Sequence, residues 1–263
     1  MCKLAIITGP LTRQQVNATL LTANQSFART QRNGFGFIAS TGDSATAYGR
    51  YLTPSGFCGY RSKVPMLWAG AHDEGTPLPP ITRALLVHGR TATSEVCLPN
   101  VHPFTRPGGW SLIHNGIVTW TGDPKDEPVS AGLCDSDQLL EWISTGGDMH
   151  KASEVWSGYG AVALLSPDHK LRIWKDSNAT LYFARRAQGQ GWAFATDDDD
   201  LIKIGRTVPL ANNPVKLPAC YAEFSSHGKL VGTQSWEGFG QRHTITAAAV
   251  QSSLGRWTTV DAT

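Results

Sequence analysis

The second residue of the chain is a cysteine, in Met1-Cys2-Lys3-Leu4-Ala5-Ile6-Ile7. Cysteine is small enough for the initiator methionine to be removed at this junction. Removal leaves a thiol and a free α-amino group on one residue, a nucleophile beside its own base. The α-amine has a reference pKa of about 8, so slight desolvation leaves much of it neutral near pH 7. N-terminal threonine nucleophiles are activated by the same logic. A free cysteine is otherwise a small buried hydrophobe. The functional reading therefore needs the other groups that attack on an amide requires.

Four segments carry such groups. They are His88-Gly89-Arg90-Thr91-Ala92-Thr93, Asn100-Val101-His102-Pro103-Phe104, His114-Asn115-Gly116 and Asp135-Ser136-Asp137. Amide hydrolysis needs a nucleophile, a proton acceptor and preorganised donors for the developing oxyanion. Asn115-Gly116 reads as a turn after a strand, and supplies a side-chain amide and a backbone N–H as donors. Arg90 offers a planar fork for a carboxylate. Asp135 offers a negative partner for an ammonium. Together they suit the charged end of a free amino acid. Each feature alone has an ordinary structural reading: an Arg–Asp pair, a hairpin turn, strand histidines satisfied by their neighbours. The weight lies in their occurring together in one order.

Cys2 followed by H-x-R-x-A-T, N-x-H-P-F, H-N-G and D-S-acidic resembles the class II glutamine amidotransferases, which belong to the N-terminal-nucleophile hydrolases. The chain is most similar to short free-standing members that begin Met-Cys-Arg-Leu and carry a Trp four residues before H-N-G. Met1-Cys2-Lys3-Leu4 and Trp110 stand in those places, and Asn33-Gly34-Phe35-Gly36 resembles their early glycine-aromatic-glycine turn. The resemblance runs from residue 2 to 137. It implies an α+β fold, a four-layer αββα sandwich with mainly antiparallel sheets. It also implies hydrolysis of L-glutamine to L-glutamate and ammonia through a thioester on Cys2. Asn115 and Gly116 would hold the oxyanion, Arg90 and Thr93 the α-carboxylate, and Asp135 the α-ammonium. His102, His114 and Trp110 would support these loops, as would His88. No cofactor or metal is implied. Two departures stand out: Thr93-Ser94-Glu95-Val96 lacks the glycine that often follows the arginine motif, and Asp137 replaces the more usual Glu. Glutamine and asparagine differ by one methylene, worth only about 1–3 kcal/mol in a pocket. Preference for glutamine must come from fixing the zwitterion at the right distance from the thiol.

Two other readings keep the fold. One is an N-terminal-cysteine amide hydrolase for another substrate, with no need of an Arg90–Asp135 clamp. The other is a catalytically silent binding protein. The rest of the composition narrows the field. With 23 basic and 21 acidic residues mixed throughout, net charge +2, no basic stripe argues for nucleic acid. No apolar run approaches the ~18 residues of a membrane helix, and Leu4-Ala5-Ile6-Ile7 is too short for a signal-peptide core. A cytoplasmic protein is expected. Cys2, Cys58, Cys97, Cys134 and Cys220 are odd in number and widely spaced, which argues against a disulfide framework or a zinc knuckle. The histidines lack a short ligand pair such as H-x-x-x-H. Asp197-Asp198-Asp199-Asp200 lacks the glycine and terminal Glu of an EF-hand and reads as a solvated turn. There is no phosphate loop and no dinucleotide fingerprint. A single domain over 1–263 is expected, mostly taken up by the glutaminase-like pattern. A separate synthase or ligase would then receive the ammonia.

These residues need elements to hold them. Residues 3–8 read as a buried strand. Residues 11–28 read as a helix that Thr12 is placed to cap, with Val16, Leu20 and Leu21 on one face. Strands are expected at 35–39, 84–88, 110–114, 161–165, 171–174, 181–184, 192–195 and 221–224. Residues 135–144 read as a helix capped by Asp135 or Ser136, with Leu139, Leu140 and Ile143 inward. Residues 41–80 read as a long loop or loose hairpin. Strand-rich mixing of this kind indicates α+β architecture with antiparallel sheets.

Overall fold

A computed structural model describes residues 2–27, 30–31, 33–53, 56–62, 78–91, 100–128 and 134–240, with backbone only for 46–53 and 56–62. The chain opens with β1 (Lys3–Thr12), whose Leu4, Ala5, Ile6 and Ile7 are all fully buried. A strand covered on both faces needs a continuous apolar run rather than alternation. Here Leu4 and Ile6 face one core, and Ala5 and Ile7 another. Helix α1 (Arg13–Phe27) follows directly. Thr12 and Gln15 form a reciprocal capping box: each side chain accepts the other's backbone N–H. Val16 and Leu20 face the sheet as expected, but Leu21 is 58% exposed. It sits 100° round the helix from Leu20, beyond the edge of the apolar stripe.

Strands β2 (Gly34–Ser40), β3 (Ala45–Thr53), β4 (Gly56–Ser62) and β5 (Ile81–Arg90) come next. Much of the expected loop over 41–80 is therefore strand, and its residues 63–77 lie outside the described ones. Then come β6 (Phe104–Arg106), β7 (Trp110–Trp120), α2 (Asp135–Ser144), the single turn α3 (Ala152–Val155), β8 (Trp156–Leu165) and β9 (Leu171–Lys175). The described chain ends with β10 (Tyr182–Arg185), β11 (Trp192–Ala195), α4 (Asp198–Gly205), β12 (Val215–Lys216), β13 (Cys220–Phe224) and β14 (Leu230–Gln234).

Two antiparallel sheets result, ordered β12-β10-β11-β1-β5-β2-β3-β4 and β14-β13-β9-β8-β7-β6. Three apolar clusters separate four layers. Leu4, Ile6, Leu86, Ile113, Phe194 and Phe224 fill the space between the sheets. Val16, Leu20, Phe27, Val87, Leu201 and Ile204 bind α1 and α4 to the outside of the first sheet. Leu112, Leu139, Leu140, Ile143, Val162 and Trp156 bind α2 to the outside of the second. This is an αββα sandwich of the α+β class, as the sequence implied.

Three local readings are corrected. Asn115-Gly116 is not a turn: β7 runs through it, with Asn115 opposite Ala161 and Gly116 opposite Gly160. The α2 N-cap is Cys134, without a side-chain cap bond. Asp135 and Ser136 turn instead toward β7. Asp197–Asp200 is not a solvated turn. Asp197 caps α4 by accepting the Asp199 N–H. Asp200 is 2% exposed, meets Lys3 Nζ at 2.6 Å and accepts from the Ser26 hydroxyl. It thus ties α4 to α1 and to the residue after Cys2. No helix among the described residues is long and apolar enough to cross a membrane.

Removing one side of a buried, hydrogen-bonded ion pair leaves the other charge unpaired. Asp200→Ala should therefore cost about 2–4 kcal/mol in urea unfolding. A change below about 0.5 kcal/mol, the usual size of a surface substitution, would mean that this carboxylate is hydrated after all.

Candidate functional site

Cys2 stands at the entry to β1. Lys3 pairs with Gly89 and Leu4 with His88 on β5, so one further step sets Cys2 opposite Arg90. Leu4 and Leu86 face the space between the sheets, and period-two alternation turns Cys2, His88 and Arg90 the same way. On the other side of β5, Gly34 pairs with Arg90 and Gly36 with His88. Having no side chains, these two glycines leave the inter-sheet space at this end to the arginine and the histidine. Arg90 is 4% exposed. Its carbonyl accepts from Asn33 N–H at 3.1 Å.

The Cys2 thiol lies 3.5 Å from the Thr91 carbonyl, to which it donates. The Thr91 hydroxyl in turn donates to Gln31 Oε1. Burial raises the thiol's pKa. The backbone hydrogen bond at Thr91 and the charge of Arg90 oppose that rise, and Asp135 adds to it. The resting group is therefore a thiol, and any nucleophilic use needs a base.

The facing wall comes from β7. Ile113 lies in the inter-sheet core and Leu112 in the α2 core. Alternation then aims Asn115 between the sheets and His114 toward α2. Asn115 is 2% exposed, and its Oδ1 has no hydrogen-bond partner among the described residues. A buried polar atom left so costs about 1–3 kcal/mol. At Gly116 the backbone has no room for a side chain: a Cβ would lie 2.1 Å from the Tyr159 carbonyl oxygen and 2.7 Å from His114 Nε2. A Cβ on Gly160, its cross-strand partner, would lie 2.4 Å from the same nitrogen. The His114 ring occupies the slot that these two glycines open.

His114 anchors the second charge. Ser136 Oγ donates to Asp135 Oδ1 at 3.2 Å and so accepts from His114 Nδ1–H at 2.9 Å. Asp135 Oδ1 also accepts the Ser136 N–H at 2.8 Å, and Oδ2 accepts Val118 N–H from β7 at 2.9 Å. The carboxylate is held on both oxygens yet retains lone pairs for a cation. It lies close enough to act electrostatically on both Cys2 and His114.

His88 joins the two walls. Its Nε2–H donates to the His114 carbonyl at 3.0 Å. A carbonyl only accepts, so this nitrogen carries the proton. Burial pushes the His88 pKa down to about 3, and burial also lowers that of His114. The His88 ring stacks on His102, with centroids 3.9 Å apart and an interplanar angle of 29°. His102 meets Phe104 edge to face at 4.6 Å.

Cys2, Arg90 and Asn115 thus face one inter-sheet space, with Asp135 in electrostatic range and His88, His102 and His114 packed behind. Trp110 lies elsewhere: it opens β7 about 13 Å from His114, packed on the α2-side core. Thr93, Ser94 and Glu95 lie outside the described residues. Sequence reasoning missed Gln31 and Thr91, whose roles run through a carbonyl and a long-range contact. It also missed Gly158-x-Gly160, where alternate glycines inside a strand do signal close backbone approach. Among the described residues no three His, Cys, Asp or Glu side chains converge as a metal site. Cys2, Cys134 and Cys220 are free thiols. Cys97 and the Cys58 side chain lie outside the description.

Solved structures share this αββα fold. One is glutamine phosphoribosylpyrophosphate amidotransferase from B. subtilis, complexed with ADP and GMP: TM-score 0.57, 15% identity, 89% of this chain and 49% of that one. Another, described as the allosteric regulatory enzyme of purine biosynthesis, matches with TM-score 0.61 at the same identity and coverage. The chain spans about half the length of each. At this identity the likeness is one of fold. No family model matches the chain, and comparison with curated proteins finds no match.

The His88 ring makes a pH prediction. Between pH 6.5 and about 3 the unfolded chain holds a proton on His88 that the folded chain excludes. Acidification through that window therefore favours unfolding, by up to about 1.4 kcal/mol per pH unit for this one group. His88→Asn should flatten the dependence of unfolding free energy on pH by close to one proton. An unchanged slope would place the acid sensitivity elsewhere.

Proposed function

We propose that this chain is a glutaminase of the class II amidotransferase kind, with Cys2 as nucleophile once Met1 is removed. The observation that carries the reading is the convergence of Cys2 and Arg90, paired by strand register, on the Asn115 amide across the inter-sheet space. In this reading the Cys2 α-amine, directly or through one water, takes the thiol proton. The thiolate attacks the side-chain amide carbon of L-glutamine. The Asn115 amide and the Gly116 N–H hold the resulting oxyanion. The ammonium then protonates the departing nitrogen, ammonia leaves, and a γ-glutamyl thioester remains on Cys2. Water adds to the thioester and releases L-glutamate and the thiol.

Arg90 takes the α-carboxylate and Asp135 the α-ammonium, so the amide carbon is set by its distance from two fixed charges. Thr93 is assigned to the carboxylate as well. The ammonia released would be handed to a synthase or ligase. Ammonia is mostly protonated near neutral pH and then not nucleophilic, so a sheltered transfer route favours direct contact with that partner.

Intact-mass measurement should find Met1 absent, and ammonia release from L-glutamine should vanish in Cys2→Ala. Asn115→Ala should lower kcat by about 10²–10³ with the fold intact. Arg90→Ala should chiefly raise KM for glutamine while sparing a bulky amide, if one is accepted. Equal ammonia release by the wild type and Cys2→Ala would end the proposal.

A further inference from the structure

The opposite end of the sandwich holds a cavity of about 690 Å³. Gly9 lies on β1, seven residues or about 23 Å from Cys2 at the strand's entry. Arg90 and Arg83 lie equally far apart on β5. The two sheets meet again at this far mouth. The first contributes Gly9, Pro10, Arg83, Arg185 and Trp192, and the turn between β13 and β14 contributes His227, Gly228, Lys229 and Leu230. The contact is close: a Cβ on Gly228 would lie 2.2 Å from Gly9 N, and one on Gly9 1.6 Å from the Gln190 carbonyl oxygen.

The charge of this mouth is one-sided. Arg83, Arg185, Lys229 and His227 line it, and no Asp or Glu does. Arg186, 1% exposed, lies directly behind the wall. Its guanidinium donates to the carbonyls of Thr8 at 2.8 Å, Pro10 at 2.9 Å and Gln190 at 3.1 Å, and to Gln190 Oε1 at 3.3 Å. No carboxylate among the described residues pairs with it, and its Nε is buried without a hydrogen bond. Burial draws its pKa down to about 10, so it remains charged near neutrality. A buried cation without a counter-charge is costly. Neutral carbonyls satisfy its hydrogen bonds but not its charge.

We propose that this far mouth is a binding site for a small organic phosphate. Arginine forks, a lysine and a histidine around one opening suit a phosphoryl group. The uncompensated charge of Arg186 adds to the field there, and low-dielectric walls focus it. The volume lies within the ~300–1,000 Å³ usual for small-molecule sites. Trp192 and Leu230 give the remaining wall an apolar character suited to the organic part. The site shares no residue with the Cys2 site.

Isothermal titration with phenyl phosphate at fixed ionic strength tests this. One saturable site with Kd of about 0.1–1 mM is expected. Phenol should not compete, and inorganic pyrophosphate should. Arg83→Ala and Lys229→Ala, both away from the Cys2 site, should each weaken binding about tenfold, whereas the exposed control Lys125→Ala should leave it unchanged. Absence of saturable binding, or equal loss in Lys125→Ala, would overturn the proposal. Binding is read without turnover, so the outcome is independent of whether glutamine is hydrolysed.

Discussion

The hydrogen bond from His88 Nε2–H to the His114 carbonyl sets the geometry of the candidate site. It crosses from one sheet to the other where both run out of apolar filling. Leu4, Leu86 and Ile113 hold the sheets apart by packing. Two residues further along each strand, packing gives way to polar side chains, and only directional contacts can keep the spacing. A charged imidazole would be hard to bury here, so the ring is kept neutral by the desolvation that the surrounding core enforces. The stack of His102 on His88 and the seat of Phe104 behind it fix the ring's plane. The distance between Cys2 and Asn115 is therefore a property of the core as much as of the site.

Much of this arrangement was readable from the residues. The β1 run, Thr12 as the cap of α1 and the inward face of α2 all follow from local pattern, whereas Cys2, Arg90, Asn115 and Asp135 were singled out by the order of their motifs and the family resemblance. The failures have one physical source. Asn115-Gly116 has strong turn chemistry, but ten cross-strand pairs from Ser111 to Trp120 carry β7 straight through it. The glycine serves a different need, room for the His114 ring. Asp135 and Ser136 have capping chemistry but spend it on Val118 and His114. Asp200 sits in a run of four acids that locally reads as solvated, yet Lys3 and Ser26, distant in sequence, bury it. In each case long-range partners outbid the local preference of a short polar side chain, and one sequence does not display those partners.

The electrostatics of the Cys2 site set a condition on its chemistry. Burial keeps the sulfur protonated, and the nearby Arg90 does not offset that. A thiol of this kind stays inert until a base reaches its proton. His88 and His114 are poor candidates for that base. One is bound to a carbonyl and the other to Ser136, on the far face of β7. The amine on Cys2's own carbon is the group whose position needs no further element. Under the proposed function, methionine removal is the covalent event that would supply this base.

The same two strands that end at Cys2 and Arg90 begin their other ends at Gly9 and Arg83. β1 and β5 are paired over most of their length and lie at the centre of the first sheet. Their interior positions are fully buried on both faces, so neither strand can shift relative to the other without breaking the cores on both sides. A rigid pair of this kind transmits position rather than absorbing it. At the far mouth Arg186 grips the backbone carbonyls of Thr8 and Pro10 on β1. The β13–β14 turn that completes the mouth belongs to the other sheet. The two mouths therefore differ in kind. One is closed by a buried hydrogen bond between neutral groups, and the other is lined by basic side chains with no acidic residue among them.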